Sequence, residues 1–257
     1  MSWRVFKNPA TLFIGGIAAV LLEFADPRVR DGVWRHSNFR TDPVGRLRRT
    51  GLAAMVTVYG PKSVAERMIA RVNAMHANVR GVTDAGVRYD ASDPTLLDWV
   101  QATASFGFLE AYSAYAAPLT DTEKDRFYAE SGPAATLYGA TGAPRSLAAQ
   151  RALFATRAAA LEPSSIIDEF IEIMRHAPAL PTELRLSQRV FVRAAIDILS
   201  PEARSALGLE GRGLRPLEDI LVKRIARRAD RLCLRSSPPA QACVRMGLPV
   251  DYLFRAR

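Results

Sequence analysis

Two of the three histidines in this chain, His36 and His76, lie in a short front region with Glu23, Arg46 and Thr50. An imidazole can ligate a metal or a haem iron, a guanidinium can clamp a carboxylate, and an isolated carboxyl can move a proton. A buried cofactor with a histidine ligand would explain why so few histidines are grouped in this way. The residues that carry this reading fall in three stretches. They are 23–50 (EFADPRVRDGVWRHSNFRTDPVGRLRRT), 75–81 (MHANVRG) and 89–100 (YDASDPTLLDWV).

Each residue has a plainer reading beside the chemical one. On a helix advancing by about 100° per residue, Val64, Met68, Val72, Met75 and Val79 form one core stripe, with Ile69 beside it and His76 on the same buried side. His76 is either a hydrogen-bonded core histidine or an axial ligand to haem iron. In the second case its free nitrogen should donate to a backbone carbonyl one turn earlier. Arg46 and Thr50 are spaced i, i+4 and share a helix face, with Arg48 and Arg49 on other faces. They belong to a solvated basic helix, or else Arg46 turns inward to hold a propionate while Thr50 bonds a propionate or bound oxygen. His36 is a capping residue or the rival iron ligand. His176, after Arg175, suits a helix C-terminus. Glu23 ends an apolar helix; it is a cap, a salt-bridge partner, or a carboxyl with a raised pKa that serves as a base.

Competing sites are missing their parts. The chain has no GxSxG, P-loop, HExxH or CxxCH motif. Glu172 and His176 are spaced i, i+4 with no second copy, which does not fit a carboxylate di-iron helix pair. Cys233 and Cys243, with nine residues between them, have no zinc-ligand spacing and read as free, half-buried thiols of a reducing cytoplasm, with a disulfide as the alternative.

Helix punctuation dominates the elements that must position these residues. Asp26-Pro27, Asp42-Pro43 and Asp93-Pro94 each set an N-capping Asp before a Pro at the first helical position. The pattern predicts helices over 10–24, 27–35, 43–59, 61–80, 94–115, 121–130, 146–160, 164–175, 187–199, 201–207 and 216–232. Loops are expected over 81–89, 131–145 and 177–182. Residues 55–59 (MVTVY) are the one β-like run, and no hairpin partner accompanies them. The expected class is all-α, a single domain spanning 1–257.

Composition fits that class: hydrophobic residues make up 49% and charged residues 24%. The net charge of +9 comes from arginines spread from Arg4 to Arg257, dense only over 223–231. No nucleic-acid-binding signature accompanies it. The apolar run 9–22 (PATLFIGGIAAVLL) is too short to span a membrane, and no small-residue cleavage site follows. It reads as a buried first helix, with membrane-surface contact as the alternative.

The succession EFADPRVRDGVWRHSNF, DPVGRLRRT, VNAMHANVRG, YDASDPTLLDWV and PLTDTEKDRFYAE resembles the oxygenase family of the latex-clearing rubber oxygenases. That family also holds the mycophenolic-acid-pathway enzyme that cleaves a prenyl side chain. The resemblance covers residues 3–138, with a looser likeness behind. It implies an all-helical, globin-like core and a non-covalent haem b (heme b) with His76 as proximal ligand. By the same likeness Arg46 and Thr50 match the family's required Arg and Thr, and Arg49 its basic residue before that Thr. Glu23 is the nearest acidic candidate for the active-site glutamate. Where the family commonly has an arginine three residues before the histidine, this chain has Asn73.

The expectation is a cytoplasmic haem-dependent oxygenase that oxidises or cleaves a C=C bond of an apolar small molecule with O2. The residues expected to act are Glu23, Arg46 and Thr50. The alternatives are a haem-dependent hydroxylase or desaturase, a helical haem-binding or interaction protein without catalysis, and a peripheral membrane protein.

Overall fold

A computed structural model describes residues 1–180 and 182–255. Pro181, in the expected 177–182 loop, and Arg257 lie outside the described residues. The chain begins with α1 (Ser2–Phe6), α2 (Pro9–Glu23), α3 (Pro27–His36), α4 (Pro43–Tyr59) and α5 (Lys62–His76). Strands β1 (Arg80–Val82) and β2 (Arg88–Asp90) follow, then α6 (Pro94–Ala111), which ends in a π-helical turn, Tyr112–Ala116. Next come α7 (Asp121–Leu137), α8 (Leu147–Arg157), α9 (Ser165–His176), α10 (Arg185–Asp197), α11 (Pro201–Ala206), α12 (Glu218–Ala229) and α13 (Pro238–Arg245). The fold is all-α apart from the small β1–β2 hairpin.

The Asp-Pro signals act as read. Asp26 accepts from Arg28 N (2.9 Å), Asp42 from Gly45 N (2.8 Å) and Asp93 from Thr95 N (2.8 Å), each satisfying an orphan donor of a first turn. Asn8 does the same before Pro9, accepting from Ala10 N and Thr11 N.

Helix α2 is the buried core helix that the apolar run suggested. No single helix among the described residues is long and apolar enough to cross a membrane. α2 lies on α6 backbone to backbone: a Cβ built on Gly15 would meet the Gly107 carbonyl oxygen at 2.5 Å, and one on Gly107 would meet Ala19 N at 3.0 Å. Trp99, fully buried on α6, donates from Nε1 to the Leu22 carbonyl (3.2 Å) and fixes the two helices in register.

Several expected boundaries move. The loop read at 131–145 is helical up to Leu137, with Pro133 inside α7. The residue before that proline is Gly132, which has no Cβ to clash with the ring. Ala135 is also buried against Ala140, Ala143 and Leu97. The helix expected over 43–59 is found with those bounds, and it takes in the β-like run 55–59, because β propensity is a weak preference that tertiary context overrides. α5 stops at His76 and the chain enters β1, which pairs antiparallel with β2, Gly81 opposite Tyr89. Both cysteines are free thiols.

Candidate active site

Glu23, Arg46 and His76 come from three helices and meet across one cleft. α2 packs along α6 and α4 packs on α5, but the two pairs make little direct contact. They are tied at one end. Trp3 Nε1 donates to the Val58 carbonyl (3.0 Å), the Tyr59 hydroxyl donates to the Trp3 carbonyl (2.7 Å), and Arg245 reaches the Tyr59 carbonyl. Thr57 meets the Tyr138 hydroxyl (3.0 Å), and Asn73 Nδ2 donates to the Leu137 carbonyl (2.9 Å), which ties the α4–α5 pair to the C-terminal end of α7.

Away from those ties the walls stay open. On α2, Leu12, Gly16, Val20 and Glu23 keep accessible surface and form one stripe of an otherwise largely buried helix. Phe13, beside them, meets Phe191 of α10 instead (ring centroids 6.3 Å apart). Phe108 continues this floor onto α6, its ring 3.8 Å from the Cβ position of Gly16. Val100 and Ala104 share the face of Phe108. The opposite wall, α4, buries only Tyr59, and a Cβ on Gly51 would meet nothing within 4 Å.

The electrostatics of the three residues are those of a dry site. Burial pushes the Glu23 carboxyl up to about 7, against a smaller lowering by Arg46 and by the Thr103 hydroxyl. Its residual surface therefore faces the cleft rather than bulk water. Glu23 and Arg46 attract one another without forming an ion pair. Burial lowers the Arg46 pKa; Glu23 opposes that lowering and Arg49 adds to it. His76 is lowered first by burial and then by Arg46, which leaves the imidazole neutral at pH 7. Its Nδ1 is buried and has no hydrogen-bond partner. The donation to a carbonyl one turn earlier, expected of a ligating histidine, is not made.

The stripe read on α5 is rotated from its expected position. Met75 (60% exposed) and Val64 face outward, while Ile69 is buried and Met68, Val72, Asn73 and His76 are half-buried. Two polar side chains thus share the inner face: Asn73, with a buried unpartnered Oδ1, and His76 one turn on.

The remaining expected residues stand apart from this triplet. Thr50 is exposed on α4. Arg49 is exposed and bonds Asn38 Oδ1 (2.6 Å), with Asp42 at 3.5 Å. His36 is exposed at the end of α3, its Nε2 3.1 Å from the Tyr89 hydroxyl. His176 lies far along the chain on α9, its Nδ1 against the Glu172 carbonyl (2.9 Å).

Thr103 was not anticipated. It lies on the buried stripe of α6 with Leu96 and Trp99, at i, i+3, i+7, so its signal was a hydroxyl on a core face. Its single proton goes to the Val100 carbonyl (2.9 Å) or turns to Glu23 when that carboxyl ionises.

A haem fits this donor set. Porphyrin nitrogens fill four positions on iron, so the protein must supply one neutral nitrogen, which the unpartnered His76 ring offers. Among the described residues no three His, Cys, Asp or Glu side chains converge to hold a bare metal ion instead. Arg46 is a half-buried cation of the kind a propionate would need, and the α2–α6 stripe is partly apolar.

No individual curated protein and no solved structure matches the chain. A family model does, over residues 3–250, described as ER-bound oxygenase mpaB/B'/Rubber oxygenase, catalytic domain. That span includes Glu23, Arg46 and His76 and nearly all of the chain. The chain therefore belongs to the mpaB/rubber oxygenase family and carries its oxygenase catalytic domain, an oxidoreductase.

Proposed function

We propose that the chain is a haem b-dependent oxygenase that oxidises or cleaves a C=C bond in an apolar small molecule with O2. One observation carries this reading: a neutral imidazole with a buried, unpartnered Nδ1 faces a partly apolar cleft that also holds a cation and a carboxyl of raised pKa. When bound, haem iron supplies the oxygen chemistry.

The residues of the chain do the rest. His76 holds the iron from the α5 side. Arg46 neutralises a propionate in a low-dielectric setting, where a charge-assisted bond is strong. Arg49 and Thr50, exposed about one turn along α4 from Arg46, are assigned a second polar contact to the group. The stripe of Leu12, Gly16, Val20 and Phe108 excludes water and orients an apolar substrate. Glu23, poised near neutrality, takes a proton from the substrate or returns one, and Thr103 orients its carboxyl. A double bond is the preferred target because rubber, named in the family description, is an unsaturated hydrocarbon.

The test is an absorption spectrum. Protein produced with adequate iron, or mixed with hemin, should show a Soret band. His76→Ala should lose that band, while His36→Ala and His176→Ala keep it. A colourless wild type that takes up no hemin would overturn the proposal, and loss of haem only in His36→Ala would move the ligand to α3.

A further inference from the structure

The outer face of α12 has no role in the cleft. Leu217, Ile220, Leu221, Arg224, Arg227, Arg228 and Arg231 recur at the spacing of one helix face, and all are exposed. None of these four arginines has a hydrogen bond or ion pair among the described residues, and the acids nearby are spent elsewhere. Glu218 is bound to Arg193, Asp219 to Lys223 (2.8 Å) and Asp230 to Lys7 (3.0 Å). The guanidiniums share one open surface patch with Ile220 and Lys223. Apolar side chains flank them at both ends. Leu217 is 77% exposed and Ile220 63% at one end, and Leu232 and Leu234 are each 54% exposed at the other. Leu217 is also the one non-glycine residue with positive φ (71°) among the described residues, a conformation that disfavours its side chain.

We infer that this face docks the protein on an anionic phospholipid surface. Unpaired arginines flanked by exposed leucines match a layer of negative headgroups above acyl chains: charge pairs with phosphate while Leu217, Ile220, Leu221, Leu232 and Leu234 enter the boundary. Nucleic acid is a poorer match. Residues 217–234 include no aromatic ring to stack a base. The inner face of α12, with Val222 and Ala226 fully buried, holds the helix on the core, so the outer face can be changed without loss of fold. The inference is independent of haem binding.

Vesicle flotation tests it, with full-length protein on phosphatidylcholine alone or with roughly a third phosphatidylserine. Wild type should float with the anionic vesicles only, and less so at high salt. Each basic residue near an anionic leaflet contributes about a fivefold factor. Replacing Arg224, Arg227, Arg228 and Arg231 together with Glu should therefore lower partitioning at least about a hundredfold. Leu217→Ser with Ile220→Ser and Leu221→Ser should lower it by about tenfold or more. Arg67→Glu with Arg71→Glu, exposed on α5, should leave it unchanged. Circular dichroism shows that each variant is folded. The inference fails if anionic lipid gives no preference, if the α5 variant loses as much as the α12 variant, or if the leucine variant binds undiminished. It also fails if duplex DNA at equal charge displaces the protein from vesicles, since the face would then recognise polyanions in general.

Discussion

Replacing Glu23 with Gln should make the protein more stable by an amount that grows as pH rises from the ordinary 4.5 to about 7 and stays at its full size above that. The carboxyl titrates at about 7 in the fold, against an ordinary 4.5. Between those values the folded chain keeps a proton that the unfolded chain has released, so stability falls as pH rises through this window. At about 1.36 kcal/mol per pH unit, the gap is worth roughly 3 kcal/mol, and the loss is complete above the folded value. Gln has no such transition. Denaturant unfolding of wild type and Glu23→Gln from pH 4 to pH 9 isolates the effect, because all other groups titrate alike in both chains. The difference should be small at acid pH and reach about 3 kcal/mol in favour of Gln at alkaline pH. For a chain of this size that corresponds to roughly 6–12 °C in Tm. A flat difference would refute the buried, unpaired carboxyl. A difference of opposite sign would mean that Glu23 is ionised against Arg46 throughout. The same variant should keep haem and slow turnover by about 100- to 10,000-fold, the range for a positioned acid–base group.

Two other substitutions probe the cleft and its support. Arg46→Ala should weaken haem retention by an amount on the order of 2–5 kcal/mol, and Arg48→Ala by less than about 0.5 kcal/mol, because Arg46 is half-buried and Arg48 exposed. Hemin titration measures both, and equal losses would refute the inward clamp. Gly107→Ala should destabilise the fold by about 1–3 kcal/mol or more, because the added Cβ lies 3.0 Å from Ala19 N across the α2–α6 contact. An unchanged Tm would mean that the helices part without strain.

What could be read from the sequence was local. An Asp before a Pro states its own structure, since the cap and the missing N–H both belong to one turn, and all three such sites begin helices. Glu23 was readable as an oddity because a carboxylate at the end of an apolar helix has few places to go. The rotation of α5 was not readable. Val64, Met68, Val72, Met75 and Val79 make a convincing stripe, yet α5 packs mainly on α4 and α7, which turns Asn73 onto Leu137 of α7 and leaves His76 with a buried, unpartnered Nδ1. Thr103 was overlooked because its significance depends on which residue of α2 lies opposite. That is fixed by the Gly15–Gly107 approach and the Trp99–Leu22 bond, neither of which has a short-range signal. The helix through Pro133 follows the same logic: proline alone argues for a break, and the glycine before it removes the clash.

Glu23 and Arg46 interact by charge without forming an ion pair. Had the two formed a close ion pair, the carboxylate would stay ionised well below neutrality and the guanidinium would be saturated by it. Glu23 could then neither give nor take a proton near pH 7, and Arg46 would have to surrender a buried partner to meet any other anion. Held apart, the two leave each other available. Arg46 lowers the Glu23 pKa only part of the way back from the desolvated value, so the carboxyl sits at about 7. Arg46 in turn stays under-neutralised, its pKa lowered, and an incoming carboxylate relieves it. A bound anion at Arg46 would cancel part of the field that stabilises ionised Glu23 and raise that carboxyl further. Under the proposed function, an acidic cofactor bound at Arg46 would therefore hold Glu23 protonated to higher pH.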